Sequence, residues 1–315
     1  GWPEIADPSG IDPCCDVYQD RRAGITQCKE TDGRENGTDG EESERRETVD
    51  YRAEPATLAH DGSWPGFLCA CAEALNASEP VPRVVDADAP VGLFESRIAV
   101  ARDDGRAAAL WDRLTIKAGA PAMRIVLEAF LSERPDARAD TASVLRRLRR
   151  EGAAALRDLA DPIVLSVDKA ATRARREAER TTGIARFSEL ADGSWYAPLE
   201  PGCDVLPLVA DHFAARFRPM RFALHDLRRG RAVLHEPGRP WLLTDGFSLK
   251  RVEPDEDAGP GAIDSAMLAS DELRIRDLWR RYFAATAIEG RLNPGLQAAH
   301  IPKKYWKLLT EMRRG

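Results

Sequence analysis

The sequence predicts an α+β protein: a mainly helical region, then a small antiparallel β-sheet of order β-β-α-β-β, then C-terminal helices. Three observations predict it. Apolar residues recur at three- and four-residue spacing through 106–151 and again through 271–288, the period of a helix with one buried face. Between them, two pairs of short β-prone runs flank the turn signals Asp192-Gly193 and Arg228-Arg229-Gly230. A single helical segment after Asp204 separates the two pairs, as a helix covering one face of a small sheet would.

Element by element, order is expected to begin near Ala56. Thr57-Leu58-Ala59-His60 reads as a short strand, and Asp61-Gly62-Ser63 turns into a helix with Pro65 in its first turn. A second short strand is expected within 96–102. Helices follow over 106–117, ended by Gly119, then 121–132, 140–151 and 162–181, the last opened by Asp161 as cap and Pro162 at the first position. The runs 185–190 and 194–199 form one hairpin, and 221–225 and 231–236 the other, with a helix over 205–217 between them. Trp241-Leu242-Leu243 adds a short strand. Residues 253–268 are acidic and bear Gly and Pro, the composition of a loop. Leu273, Ile275, Leu278, Trp279, Tyr282 and Phe283 place a helix over 271–288. Ile301-Pro302 starts a last one carrying Tyr305, Trp306, Leu309 and Met312. The ordered region, 56–315, divides into a mainly helical part, 56–182, and a sheet with C-terminal helices, 183–315.

Charge separates the first residues from the rest. Residues 1–56 hold 15 Asp and Glu against 7 Lys and Arg, a net of −8. The remainder holds 37 against 39, a net of +2. The stretch 1–55 has few large apolar residues and cannot bury enough surface to offset its ordering entropy, so a disordered acidic tail is expected there. No run approaches the roughly 18 apolar residues that span a bilayer, and residues 1–25 lack the basic start and apolar core of a signal peptide. The six cysteines, at 14, 15, 28, 69, 71 and 203, form no C-x-x-C pair and have no histidine at ligand spacing. Cys69 and Cys71, inside an apolar segment, read as reduced core thiols; the usage fits a reducing cytoplasm, and no metal and no cofactor are expected.

Catalytic motifs are missing from the sequence. There is no glycine-rich phosphate loop, no nucleophile elbow and no zinc-protease helix. Asp61 beside Ser63 superficially offers an acid and a nucleophile, but a turn with a helix cap accounts for both. Basic clusters are the stronger signal. Residues 216–251 carry nine Lys and Arg against three Asp and Glu. Within them Arg228, Arg229 and Arg231 sit on one hairpin tip and its flank, where they can reach phosphates. Residues 297–315 carry five Lys and Arg against Glu311. Lys303, Lys304 and Lys307 are interleaved there with Tyr305 and Trp306, a pattern suited to backbone neutralisation and base stacking. The plainer reading makes Tyr305 and Trp306 core anchors and the lysines a solvated face.

Several segments resemble one family. They are His60-Asp61-Gly62-Ser63-Trp64-Pro65-Gly66-Phe67-Leu68, Phe187 to Gly193, Tyr196 to Pro201, Val205 to Phe213, Leu278 to Phe283, Asn293-Pro294, Leu296-Gln297 and Pro302-Lys303-Lys304-Tyr305-Trp306. Together they are similar to a family of uncharacterised bacterial proteins described as DNA-metabolism or DNA-repair proteins, with a C-terminal domain of unknown function. The resemblance implies a context: relatives are often encoded beside a radical-SAM protein of DNA modification or repair, or fused to a uracil-DNA glycosylase-like domain. It implies no catalytic residues. The chain lacks the C-x-x-x-C-x-x-C of a radical-SAM enzyme.

Three readings stand on the sequence. The first is a DNA-metabolism accessory protein that binds DNA through Arg228, Arg229, Arg231 and the 303–307 segment, acting with a radical-SAM or glycosylase-type partner. The second is a protein-interaction module without direct DNA contact, which needs an exposed apolar patch. The third is an enzyme acting on a DNA base, with a pocket drawn from Asp61, Ser63, Asn293, Gln297 and His300.

Overall fold

Small and β-branched residues at the start of the ordered chain make a strand too short to stand alone, and it is completed by two neighbours. The computed structural model describes residues 56–77, 82–92, 95–249, 263, 265–288 and 293–312. The acidic tail expected over 1–55 and most of the loop expected over 253–268 lie outside the described residues. Strand β1 (Thr57–His60) is buried along its length and pairs in parallel with β2 (Arg83–Asp86) on one side and β3 (Arg97–Ala99) on the other. The sequence reading has no strand at β2, because Arg-Val-Val-Asp is four residues long and polar at both ends.

Five helices pack on this sheet and on one another: α1 (Trp64–Asn76), α2 (Asp104–Ala118), α3 (Ala120–Leu131), α4 (Pro135–Glu151) and α5 (Pro162–Ile184). Their starts follow capping chemistry. Ser63 Oγ accepts from the Gly66 amide, Asp103 from that of Arg106, and Asp161 from those of Ile163 and Val164. Helix α4 begins at Pro135 rather than at Asp140 as expected. A proline at the first helical position loses no hydrogen bond there. Between α2 and α3 the chain turns at Gly119, whose φ of +82° an L side chain rarely adopts. The core holds Phe67, Leu68, Met123, Leu145, Leu148 and Val164. Phe67 and Trp64 have ring centroids 4.9 and 5.0 Å from that of Phe130.

The second sheet runs β4 (Ser188–Glu189), β5 (Trp195–Leu199), β6 (Phe222–Asp226), β7 (Arg231–His235) and β8 (Leu242–Thr244), in spatial as in chain order. The strand-strand-helix-strand-strand order is the predicted one, but one pairing differs from the all-antiparallel expectation. β5 and β6 are parallel. The helix between them, α6 (Leu206–Arg216), is a crossover that carries the chain back to the end of the sheet where β5 began. Phe222, Leu224 and Val233 pack with Val209 and Phe213 of α6 and with Ala174 and Ala178 of α5. Helix α5 therefore serves both cores, its first half in one and its second half in the other.

Helix α7 (Glu272–Thr286) follows, then α8 (Pro294–His300). The sequence reading places no helix at Asn293-Pro294-Gly295. Instead Asn293 caps α8 through the Leu296 amide, with Pro294 at its first position. The helix expected from Ile301-Pro302 is two 3-10 segments, Lys303–Leu308 and Thr310–Met312. Tyr305 and Leu309 there pack against Ile184 at the end of α5. Among the described residues, no helix is long and apolar enough to cross a membrane.

Candidate nucleic-acid interface

The loop from Glu200 to Asp204 joins β5 to α6 and lies where α5, the β6–β7 turn and the C-terminal 3-10 segment meet. Gly202 is its centre. The Gly202 amide donates to Glu177 Oε1 of α5 at 2.6 Å. A Cβ at this glycine would stand 3.0 Å from Lys304 Nζ, 3.3 Å from Glu177 Oε1 and 3.7 Å from Arg173 Nη2. The missing side chain thus leaves room for two cationic heads over the loop.

Glu177 is buried and heavily partnered. The Tyr305 hydroxyl donates to it, as do Lys304 Nζ at 3.2 Å and Arg180 Nη1 at 2.6 Å. Burial pushes its carboxyl up; the Tyr305 hydroxyl, the Gly202 amide and Lys304 outweigh that and hold it below the ordinary carboxylate range. Lys307 reaches Glu200 at 2.6 Å, and Lys303 lies 6.0 Å from the centre of the Trp306 ring. Tyr305 is buried, so its ring face is turned to protein.

On the other side of the loop, the Asp226 carboxylate folds the β6–β7 turn. Its Oδ1 accepts from the amides of Arg228 at 3.0 Å and Arg229 at 3.3 Å, and its Oδ2 pairs with Arg229 Nη1 at 2.5 Å. Arg229 Nε also donates to Glu133 at 2.8 Å, and Arg229 Nη1 to the Pro201 carbonyl at 3.3 Å. Arg231 pairs with Asp204 and with Asp245. Burial pushes the Asp226 and Asp204 carboxyls up despite these arginines. The side chains of Arg229 and Arg231 are only 10% and 21% exposed, whereas that of Arg228 is 58% exposed. Arg228 Nη1 reaches the Gly202 carbonyl at 3.3 Å.

The two basic clusters, some 70 residues apart in sequence, are therefore brought to one loop. Arg228 and Lys304 touch Gly202 from opposite partners, and Lys307 holds Glu200 two residues away. Arg173 and Arg180 join them from α5. The sequence reading places both inside the helix over 162–181 and gives them no role. The spacing Arg173, Glu177, Arg180 (i, i+4, i+7) puts all three on one helix face and is the signal that could have found them. Glu177, Asp204 and Asp226 are buried, while Arg173, Arg228, Lys304 and Lys307 are exposed.

A family model described as a domain of unknown function, DUF4130, matches residues 135–311. The chain belongs to that family. No curated protein and no solved structure matched it. The DUF4130 span opens at the first residue of α4 and closes in the last 3-10 segment. It contains every residue of the basic loop and its surroundings, except Glu133.

The pocket residues fall on two helix ends. Asp61 and Ser63 precede the DUF4130 span. Asp61 Oδ1 accepts from the Ser63 amide at 3.0 Å and its hydroxyl at 2.6 Å, and Ser63 Oγ caps α1. Asn293 caps α8, Gln297 Nε2 lies 3.8 Å from Met312 Sδ, and His300 is exposed in the last turn. Beside Asp61, His60 is enclosed. Its Nδ1 accepts from the Gly62 amide at 3.0 Å, and its Nε2 faces Asp86 at 3.2 Å, which pairs with Arg138. The approach of Nε2 to Asp86 is a close contact without a hydrogen bond, and Asp86 in turn ties β2 to α4 through Arg138. Among the described residues, no group of three or more His, Cys, Asp or Glu is placed to hold a metal ion. Cys69, Cys71 and Cys203 are buried and free; burial raises the thiols of Cys71 and Cys203.

Proposed function

We propose that this chain is an accessory protein of DNA metabolism that grips the nucleic-acid backbone over the Gly202 loop and works with a radical-SAM or glycosylase-type partner. One observation carries the DNA contact. Arg173, Arg228 and Lys304, from three separate elements, direct cationic groups onto one glycine. A convergence of that kind suits a phosphate, whose oxygens accept from several donors at once. The family resemblance supplies the DNA context and the class of partner. The reading assigns Arg229 and Arg231 a supporting role, since their buried ion pairs hold the turn that presents Arg228. It gives Lys303, Lys307 and the edge of Trp306 a flanking role, and Tyr305 the role of anchoring the segment that carries Lys304.

Fluorescence anisotropy with single-stranded, duplex and uracil-containing DNA at two salt concentrations tests the reading. Affinity is expected to fall steeply as salt rises. Each of Arg173→Glu, Arg228→Glu and Lys304→Glu should weaken binding to all sequences alike, and neutral variants should reduce the salt slope by about one unit per lost phosphate contact. Absence of binding at low salt, or undiminished binding by the triple variant, rejects the reading.

A further inference from the structure

Helix α5 carries a row of four cations on the side it turns to solvent. Lys169, Arg173, Arg176 and Arg180 follow one another at i, i+4, i+7 and i+11. At 3.6 residues per turn they fall within an arc of roughly 60° and extend over roughly 16 Å of helix. The buried side of the helix, with Val167, Ala171, Ala174 and Ala178, lies opposite. Lys169, Arg173 and Arg176 are exposed, and the Arg180 side chain is 30% exposed. No carboxylate interrupts the row. Asp168 and Glu179 stand roughly a quarter-turn to one side of it, and Glu177 is buried on the other. Among the described residues, the side chains of Lys169 and Arg176 have no ion pair and no hydrogen bond.

A charged helix face usually needs no partner, because water solvates it. Here the signs are unbalanced. Like charges at i, i+3 or i, i+4 work against a helix, and this row sets Lys169 against Arg173, Arg173 against Arg176, and Arg176 against Arg180. Elsewhere in the chain the i, i+4 spacing joins opposite charges: Arg124 with Glu128, Glu272 with Arg276, Asp277 with Arg281. The row also runs into the Gly202 loop, since Arg173 belongs to both. We infer that it is a track for the backbone of duplex DNA whose phosphates also meet the Gly202 loop, an inference that rests on the nucleic-acid reading of that loop. A polyanion neutralises all four cations and removes the repulsion among them. The composition of the row selects a duplex. It offers no aromatic ring to stack on unpaired bases and no Asn or Gln to read base edges. A duplex keeps its base faces stacked inside and presents phosphates outside. One duplex turn is about 34–36 Å, so the row spans roughly half a turn. The contact is to the backbone and independent of sequence.

Fluorescence anisotropy of the full chain with a duplex and with a single strand of the same length, each over a range of salt, tests this. Lys169→Gln combined with Arg176→Gln is expected to weaken duplex binding about tenfold or more at low salt. It should also lower the salt slope by about two units, one per lost phosphate contact. Binding of the single strand should change by less than about twofold, because the row offers unpaired bases nothing to stack on. The neutral variant removes like-charge pairs, so its melting temperature should equal or exceed that of the parent. Lys169→Arg with Arg176→Lys keeps the charges and should keep the duplex affinity. Unchanged duplex affinity and slope in the neutral variant overturn the track, and the Gly202 loop then stands or falls by Arg228→Glu and Lys304→Glu. Equal weakening of duplex and single strand overturns the choice of duplex. A parent that binds neither DNA at low salt rejects track and loop together. Duplex binding that responds to Lys169 and Arg176 but not to Arg228 and Lys304 supports the track and removes the loop from the interface.

Discussion

Single side chains in this protein are specified by what surrounds them more than by their type. His225 shows this most directly. It is buried on β6, with Tyr196 Oη 2.8 Å from its Nδ1 and the Phe247 ring edge-on at 4.9 Å. Burial lowers its pKa to about 4. In the unfolded chain an ordinary imidazole takes up its proton as pH falls through about 6.5. Between those values the unfolded chain binds more protons than the folded one. The His225 contribution to stability is therefore complete above pH 6.5 and declines as pH falls toward 4. His60, also lowered by burial, acts in the same direction, whereas Asp204 and Asp226, raised by burial, act in the opposite one. The His225 term is read by following its ring resonance by NMR through an acid titration. A midpoint near 4 is expected, and one near 6.5 would show that the ring meets water.

At the scale of elements, most helices were legible in the sequence because their caps are explicit. Gly119 and Asp161-Pro162 mark boundaries that the structure keeps within two residues. Strand β2, helix α8 and the parallel pairing of β5 with β6 were not legible. Each depends on a distant neighbour or on a short polar segment with no periodicity. The site was half legible. Both basic clusters stand out in the sequence, but their meeting at Gly202 depends on how α5 and the crossover helix place the loop. Asp61 and Ser63 together cap α1, and this can be tested. Alanine for glycine inside a helix is ordinarily favourable by about 0.5–1 kcal/mol. At Gly66, however, a Cβ would lie 2.0 Å from Asp61 Oδ1. Gly66→Ala should displace Asp61 from the Ser63 amide and hydroxyl and cost about 1 kcal/mol, the worth of a cap. In an Asp61→Ala background the same change should be neutral or stabilising. Equal effects in both backgrounds, measured by urea denaturation, would mean that Asp61 and Gly66 are not coupled.

At the scale of the whole molecule, the question is what makes a helical half and a sheet half one body. Apolar packing joins them through α5, which lends its first half to one core and its second to the other. The second link is ionic. Arg229, from the β6–β7 turn, spans Asp226 within the sheet and Glu133 at the end of α3, and Glu133 takes a φ of +55° to meet it. A non-glycine residue holds such a backbone only where its surroundings over-determine it. The Asp204 amide adds a bond to the Leu131 carbonyl across the same seam. Removing one member of a buried pair leaves the other charge without compensation, which costs about 3–5 kcal/mol. Arg229→Ala is therefore expected to lower the free energy of unfolding by about that amount. Glu133→Ala should cost less, because Glu133 is the more exposed partner and Asp226 remains paired with Arg229. The double variant should be less destabilised than the sum of the two single ones. Arg229→Lys should rescue only part of the loss, since an ammonium cannot donate in fork geometry to both carboxylates. A cost below about 1 kcal/mol for Arg229→Ala would place the connection between the halves in α5 alone. The same measurement separates the two kinds of arginine on this turn. Arg228→Ala should leave stability within about 0.5 kcal/mol of the parent, as an exposed side chain does, while Arg229→Ala does not.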